Sequence, residues 1–313
     1  MLCMILVSCT GQKTGKENDN NDKIAIEVGE IKFPPQDVLQ LKSYYLSSSV
    51  HVDSIDYLIG YNYRLHSLDC MNLKSKSVTQ IVLPGDGPDA IVRLSGIYAQ
   101  SLDSVWISDE SERAFLIDSV GTIKRMIDLK KYLEDQEQLL INTNYAMFTS
   151  HLFYNASRHS LMFLVKHTPS NTFIVKEAFI DEVGKMATYQ LSSSKVVPDM
   201  SKGYAYINFP NVNFVGENIV YNYPVESSIY MLDIRTNERK YILADSHYTS
   251  NIIEKCTTSG DYATLEKHWL ENSHFYDIMY LPKYKIYARL HADKVDFDEK
   301  KGMEKLINER DLY

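Results

Sequence analysis

No stretch of this sequence is apolar enough, for long enough, to cross a bilayer as a helix, which takes about 20 residues. Basic runs are also missing. Lys and Arg number 33 against 41 Asp and Glu, a formal net charge of −8, so neither nucleic acid nor anionic lipid head groups are expected partners. Cysteine is scarce, with four residues and no Cys-x-x-Cys, which argues against a thiolate zinc site. His-Glu-x-x-His is absent, as is the Gly-x-Ser-x-Gly nucleophile elbow. No cofactor or metal is expected, and no catalytic residue stands out, because carboxylates are spread throughout and their closeness in sequence singles out no acid–base pair.

What is abundant is tyrosine: 23 residues, against 11 Phe and 2 Trp. Tyr favours strands and suits positions with a buried ring and a wet hydroxyl. Its excess fits many half-exposed strands, and it also fits a carbohydrate- or peptide-binding face.

The chain repeats a phrase in which an apolar strand ends in Asp and a turn leads to a second alternating run. It is clearest in Phe115–Leu129 and recurs at His66–Asn72, Ala178–Gly184 and Tyr230–Thr236. The Asp residues are Asp69, Asp118, Asp181 and Asp233. A carboxylate there can accept from backbone N–H groups two residues on and close the turn. Gly121 and Gly184 would supply the positive φ, with Asn72 and Asn237 as alternatives. A recurrence of short strands every ~40–50 residues marks a propeller. The expected fold is therefore all-β and propeller-like, with about five to six blades of antiparallel strands and short helical insertions, a pair of β-sandwiches being the alternative. The four Asp residues are read as turn formers, since a repeated residue holds a fold whereas a catalytic one is singular.

Along the chain, residues 1–9 read as a lipoprotein signal segment. Leu6-Val7-Ser8-Cys9 is similar to a lipobox, whose Cys is acylated, although no Lys or Arg precedes the apolar run. Residues 10–23 form a polar, disordered tether, and its acidic part is similar to a surface-export signal. Residues 24–313 form the propeller-like domain. Lys23–Phe33 is expected as a strand that closes the last blade, protecting its open edge. Pro84–Asp89 reads as an interblade turn rather than a phosphate cradle, because no Lys-Ser/Thr pair or helix start follows. Helices are expected over Leu129–Ile141, with Asp128 as N-cap, and over Asp261–Asn272. A fifth repeat starts at Phe275, but Asp298–Tyr313 does not read as further strands, so the chain is expected to stop short of the full domain.

The phrases Glu217–Thr236 and His274–Leu290, behind a lipobox, resemble an uncharacterised family of propeller-like lipoproteins from gut-type Gram-negative bacteria, known as a domain of unknown function. The resemblance covers the chain from about Val52 onward. It implies about six blades and a lipid-anchored place in the cell envelope, at the outer membrane on its periplasmic or surface face. It implies no activity.

Cys70 and Cys256 remain once Cys3 and Cys9 are assigned to the signal segment, and they are expected as free, half-buried thiols or as a pair. His151, His159 and His167 fall on one blade, and His268 and His274 flank a helix end, but no ligand spacing joins them. His247-Tyr248 lies in an interblade loop, where propellers expose functional groups. The chain thus reads as a binding module anchored to the membrane by lipid, presenting its loops to a glycan, peptide or protein. An envelope hydrolase or lyase, and a structural subunit of an envelope complex, are the alternatives.

Overall fold

Along a strand, side chains alternate between faces, so a strand buried on both sides reads as a continuous apolar run. Ser104–Asp109 (SVWISD) is such a run, and it is buried along nearly its whole length. A computed structural model describes residues 31–34, 44, 46–140, 152–195, 209–255, 262–282 and 284–295. The Cys9 lipobox, the tether and Cys256 lie outside the described residues, as does most of the expected strand Lys23–Phe33, whose described end, Ile31–Phe33, is not strand. The chain divides into two compact units, one ending at Leu191 and the other running from Ser192.

The first unit holds three antiparallel meanders. Sheet one is β1 (Ser47–Val52), β2 (Ile55–Asn62), β3 (Ser67–Asn72) and β4 (Val78–Val82), paired in chain order. Sheet two is β5 (Leu94–Ser101), β6 (Ser104–Asp109), β7 (Arg113–Ile117) and β8 (Ile123–Asp128). A short strand, β9 (Glu137–Leu139), precedes β10 (Leu152–Asn155), β11 (Ser160–His167), β12 (Thr172–Phe179) and β13 (Met186–Gln190), which make sheet three. β9 pairs with β11 outside the main path. The second unit holds β14 (Asn211–Val215), β15 (Asn218–Asn222), β16 (Ile229–Asp233) and β17 (Arg239–Ile242) as a fourth meander. There follow helix α1 (Tyr262–Glu271) and the hairpin β18 (His274–Leu281) and β19 (Ile286–Ala292).

Each four-stranded meander is a propeller blade, and β6 and β7 show how blades stack. Val105, Ile107, Phe115 and Ile117 face one core, shared with Ile59, Leu68 and Ile81 of sheet one. Trp106 and Ala114, one residue out of phase, face a second core with Leu161, Phe163 and Ile174 of sheet three. The first strands also meet: Ala99 N–H of β5 donates to Ser48 Oγ of β1 at 3.0 Å. In the second unit, Asn211 and Asn213 of β14 donate to the carbonyls of Phe275 and Ile278 on β18, at 3.1 and 2.9 Å.

The fold is all-β and propeller-like, but the blade number differs from the five to six expected. Four blades are complete among the described residues, and the fifth repeat is a hairpin. After β19, Val295 N–H donates to Leu270 O at 2.8 Å and satisfies an orphan carbonyl at the end of α1, while the stretch Asp298–Tyr313 lies outside the described residues. A second correction concerns Leu129–Ile141. It forms one 3-10 turn, Leu129–Tyr132, with Asp128 Oδ1 accepting from Lys130 N–H at 3.2 Å as the N-cap. Gln136 then takes a positive φ of 68°, which ends any helix, and Leu139 pairs with Val165. Pairing to β11 buries Leu139 and joins Glu137 to the fully buried Lys176 at 3.0 Å.

Candidate ligand cleft

The repeated Asp residues fall into different environments. Asp118 and Asp233 close hairpins. Asp118 Oδ1 accepts from Val120 and Thr122 N–H at 3.1 and 2.8 Å, and Asp233 Oδ1 from Arg235 and Thr236 N–H at 2.8 and 3.0 Å. Lys124 Nζ sits 2.7 Å from Asp118 Oδ2. Its hydrogen bond, with the backbone donors, holds the Asp118 carboxyl at about 2 against the opposing effect of burial. The Asp181 carboxylate turns to His159 Nδ1, and to Arg125 Nη1 at 3.3 Å.

Asp69 is not at a turn. It sits in mid-strand on β3, opposite Gly60 and Gln80, and is fully buried. It accepts from Tyr44 Oη at 2.7 Å, Asn62 Nδ2 at 3.0 Å and Gln80 Nε2 at 2.9 Å. In that blade the turn former is Asn72, whose Oδ1 accepts from Lys74 and Ser75 N–H at 3.0 and 2.8 Å. Positive φ falls on Gly121, Gly184 and Asn237, but on Lys76 rather than Asn72. A second set of turn formers ends the second strands: Asn62 Oδ1 accepts from Arg64 and Leu65 N–H, and Asp109 Oδ1 from Ser111 and Arg113 N–H. Its signal was present in the sequence as apolar runs ending in Asn or Asp.

Part of the tyrosine excess is structural. Tyr221, Tyr223, Tyr230 and Tyr241 pack ring on ring, with Tyr221 and Tyr230 stacked at 5.1 Å. Their hydroxyls tie down an incoming segment. Tyr221 Oη accepts from Ser192 N–H, Tyr223 donates to Ser192 O, and Tyr230 accepts from Lys195 N–H. Tyr230 also donates to the buried Glu226 at 2.9 Å. Burial pushes the Tyr223 and Tyr230 hydroxyls well above their usual range, so they remain donors.

The second unit contains a cleft of about 800 Å³ between the loop after β17, the C-terminal half of α1, and Asp293-Lys294 beyond β19. That volume is in the range of small-molecule sites, ~300–1,000 Å³. The loop is built to hold its shape. Ser246 N–H donates to Asn251 Oδ1 at 2.7 Å while Asn251 Nδ2 donates back to Ser246 O at 3.0 Å. Ser246 Oγ accepts from Tyr248 and Thr249 N–H. Behind it, Ile252 bridges Glu226, and Arg289 donates to Ala244 O at 3.1 Å. Desolvation lowers the Arg289 guanidinium to about 9, opposed by Asp245 and Glu226, so it is charged at neutral pH. Thr249 Oγ1 lies 3.1 Å from His291 Nδ1. Burial and Arg289 push the His291 pKa down and favour the neutral ring.

On the opposite wall, Asn272 Nδ2 donates to His268 O at 2.8 Å and its Oδ1 accepts from Glu254 N–H at 3.2 Å, clasping helix to loop. His268 Nε2 is 2.8 Å from Glu254 O. A carbonyl only accepts, so Nε2 carries the proton. His268 Nδ1 is buried. Neither nitrogen is presented to a bound molecule. Tyr248 stands at the lip, 76% exposed; His247, beside it, shares the loop. Of the other histidines, His159 pairs with Asp181 and His167 with Ser170, while His151 lies outside the described residues. No three His, Cys, Asp or Glu side chains among the described residues converge as metal ligands. Cys70 is free and buried on β3, its thiol pushed up to about 11 by burial first and by Asp69 second. No helix of the described residues is long and apolar enough to cross a membrane.

No protein-family model matches this sequence, and no curated protein matches it. Among solved structures, a member of the DUF4221 family from Bacteroides vulgatus is similar at a TM-score of 0.65 and 14% identity, over 87% of this chain and 77% of that one. An oligogalacturonate lyase from Vibrio parahaemolyticus reaches a TM-score of 0.36 at 10% identity, over 67% and 55% of the two chains. A calcium-binding protein, regucalcin, from Agrobacterium tumefaciens reaches 0.35 at 14% identity, over 63% and 59%. These last two likenesses are too distant to bear on function. The chain is thus similar in fold, over most of its length, to a member of an uncharacterised family from a gut Bacteroides.

Proposed function

We propose that this protein is a binding module of the bacterial cell envelope, lipid-anchored through Cys9, which takes a small polar ligand in the cleft of its second unit. The observation that carries this reading is the cleft itself, with walls held by reciprocal hydrogen bonds and an exposed tyrosine at its lip. Pre-organised walls lower the entropic cost of binding. A binding role is favoured over an enzymatic one because the cleft's histidine has one nitrogen committed to Glu254 O and the other buried, which takes His268 out of acid–base work and leaves only carboxylates for it.

The test is calorimetric titration of residues 24–313 with a panel of oligosaccharides and short peptides, beside the Tyr248→Ala variant. Binding by one class is expected, weakened about tenfold by the variant, as for loss of an aromatic contact worth about 1.4 kcal/mol. Ligand binding that ignores Tyr248→Ala would move the site elsewhere. The anchor has its own test: Cys9→Ala should shift the full chain from the membrane to the soluble fraction, and an unchanged membrane fraction would sink the acylation reading.

A further inference from the structure

We infer that the ligand of this cleft is a neutral oligosaccharide; this rests on the cleft being the binding site. The walls carry three lysines, Lys255, Lys267 and Lys294, against three carboxylates, Glu254, Glu271 and Asp293. Their formal charges cancel, so the cleft draws neither a net anion nor a net cation. An ammonium only donates hydrogen bonds, and a carboxylate only accepts them. A wall that mixes the two suits a ligand whose every polar group does both, and a hydroxyl is such a group. Two serines add acceptors. Ser250 Oγ donates to Ile252 O at 2.7 Å and Ser273 Oγ to Asp293 Oδ1 at 3.2 Å, which commits the one proton of each and leaves lone pairs to accept.

The other ligand classes fit less well. Ile252 and the ring of Tyr248 are the large apolar groups of the described lining, so a lipid or an apolar peptide side chain meets little matching surface. A peptide read through its main chain adds to a strand edge, and none of the described lining residues lies in a strand. A sugar ring has hydroxyls around its rim and C–H groups on its faces. The rim suits the mixed walls, and a C–H face suits the Tyr248 ring, exposed at the lip. A charged ligand group would have to leave water beside like charges of the same walls, and burying a charge is costly unless it is fully paired.

The experiment is calorimetry on the full chain with a panel of neutral hexose oligosaccharides, their uronate and cationic hexosamine counterparts of the same length, and short peptides. A neutral oligosaccharide should bind at least about fivefold more tightly than either charged counterpart. Added salt should leave its affinity within about twofold, because no net charge is screened. Glu254→Gln removes an acceptor-only group and leaves one lysine in excess, so it should weaken the neutral ligand several-fold and narrow its lead over the uronate. That side chain is exposed and the clasp uses only the Glu254 backbone, so the fold is not threatened. A charged counterpart that binds as tightly as the neutral chain, with Tyr248→Ala still weakening it, would overturn the neutral assignment and leave the cleft standing. An affinity unmoved by Glu254→Gln but lowered by Tyr248→Ala would overturn the match of hydroxyl to carboxylate. A peptide that binds where every saccharide fails, and is lost with Tyr248→Ala, would overturn this inference and uphold the cleft. Saccharide binding that ignores both variants, or binding of no probe, would overturn the inference and the cleft together.

Discussion

Replacing Asp69 by Ala tests the difference between a turn former and a buried acceptor. Asp69 receives three hydrogen bonds of 2.7–3.0 Å, from Tyr44, Asn62 and Gln80. Asn62 is fully buried and Tyr44 is half-buried, so both lose their acceptor where water does not readily replace it. Each stranded donor costs about 1–3 kcal/mol. Gln80, half-buried on β4, regains water at small cost, and the variant should lose about 3–5 kcal/mol. Asp118→Ala releases the N–H groups of Val120 and Thr122, both on solvent-exposed residues, and the half-exposed ammonium of Lys124, all of which water can reach, and should lose about 0.5–2 kcal/mol, as for a lost cap. Urea titration followed by intrinsic fluorescence reads both. A double-mutant cycle with Tyr44→Phe sharpens the test, because the two changes remove one shared hydrogen bond and should be non-additive by about 1 kcal/mol. Equal losses in Asp69→Ala and Asp118→Ala, together with an additive cycle, would refute the reasoning. The cluster also sets an alkaline limit. Burial, and then Asp69, raise the Tyr44 pKa above its unfolded value. The stabilisation is therefore complete below about pH 10 and is lost as pH rises through the folded value. Tyr44→Phe should flatten that alkaline decline.

Asp118 predicts the opposite dependence at acid pH. Its folded pKa of about 2 lies below the ordinary 3.8, so its contribution is present above about pH 4 and is lost as pH falls toward 2. The stability gap between the wild type and Asp118→Asn should close over that window, and a constant gap would show that the charge is irrelevant. Gly121 and Gly184 share a positive φ, 84° and 81°, but an added Cβ at Gly121 would lie 2.5 Å from Val82 O, whereas at Gly184 it would meet open space. Gly184→Ala should cost about 1–2 kcal/mol and Gly121→Ala about 2–4 kcal/mol, and thermal melts that rank them the other way would refute the close-approach argument.

The blade pattern was legible because strand alternation and turn chemistry are local. An apolar run ending in Asp, followed by a Gly or Asn, specifies a hairpin from a few consecutive residues, and Asp118 and Asp233 form theirs within four positions along the chain. The same phrase misassigned Asp69, because its partners Tyr44 and Gln80 come from 25 and 11 residues away. Leu129–Ile141 had helical spacing, yet a strand edge on β11 and the buried Lys176 offered Glu137 and Leu139 a better environment. Intrinsic propensity, a weak preference, gave way to tertiary pairing.

The cleft was not legible. His247-Tyr248 stood out as an interblade loop, but Lys255, Lys294 and Asn272 carry no motif, and they come together only because β18 and β19 bring the chain back beside the end of α1. Strand order, turn residues and the all-β class follow from the sequence alone, since each is decided by neighbours along the chain. Blade number, the burial of Asp69 and the charge balance of the cleft depend on which distant segments meet, and only the tertiary structure decided them.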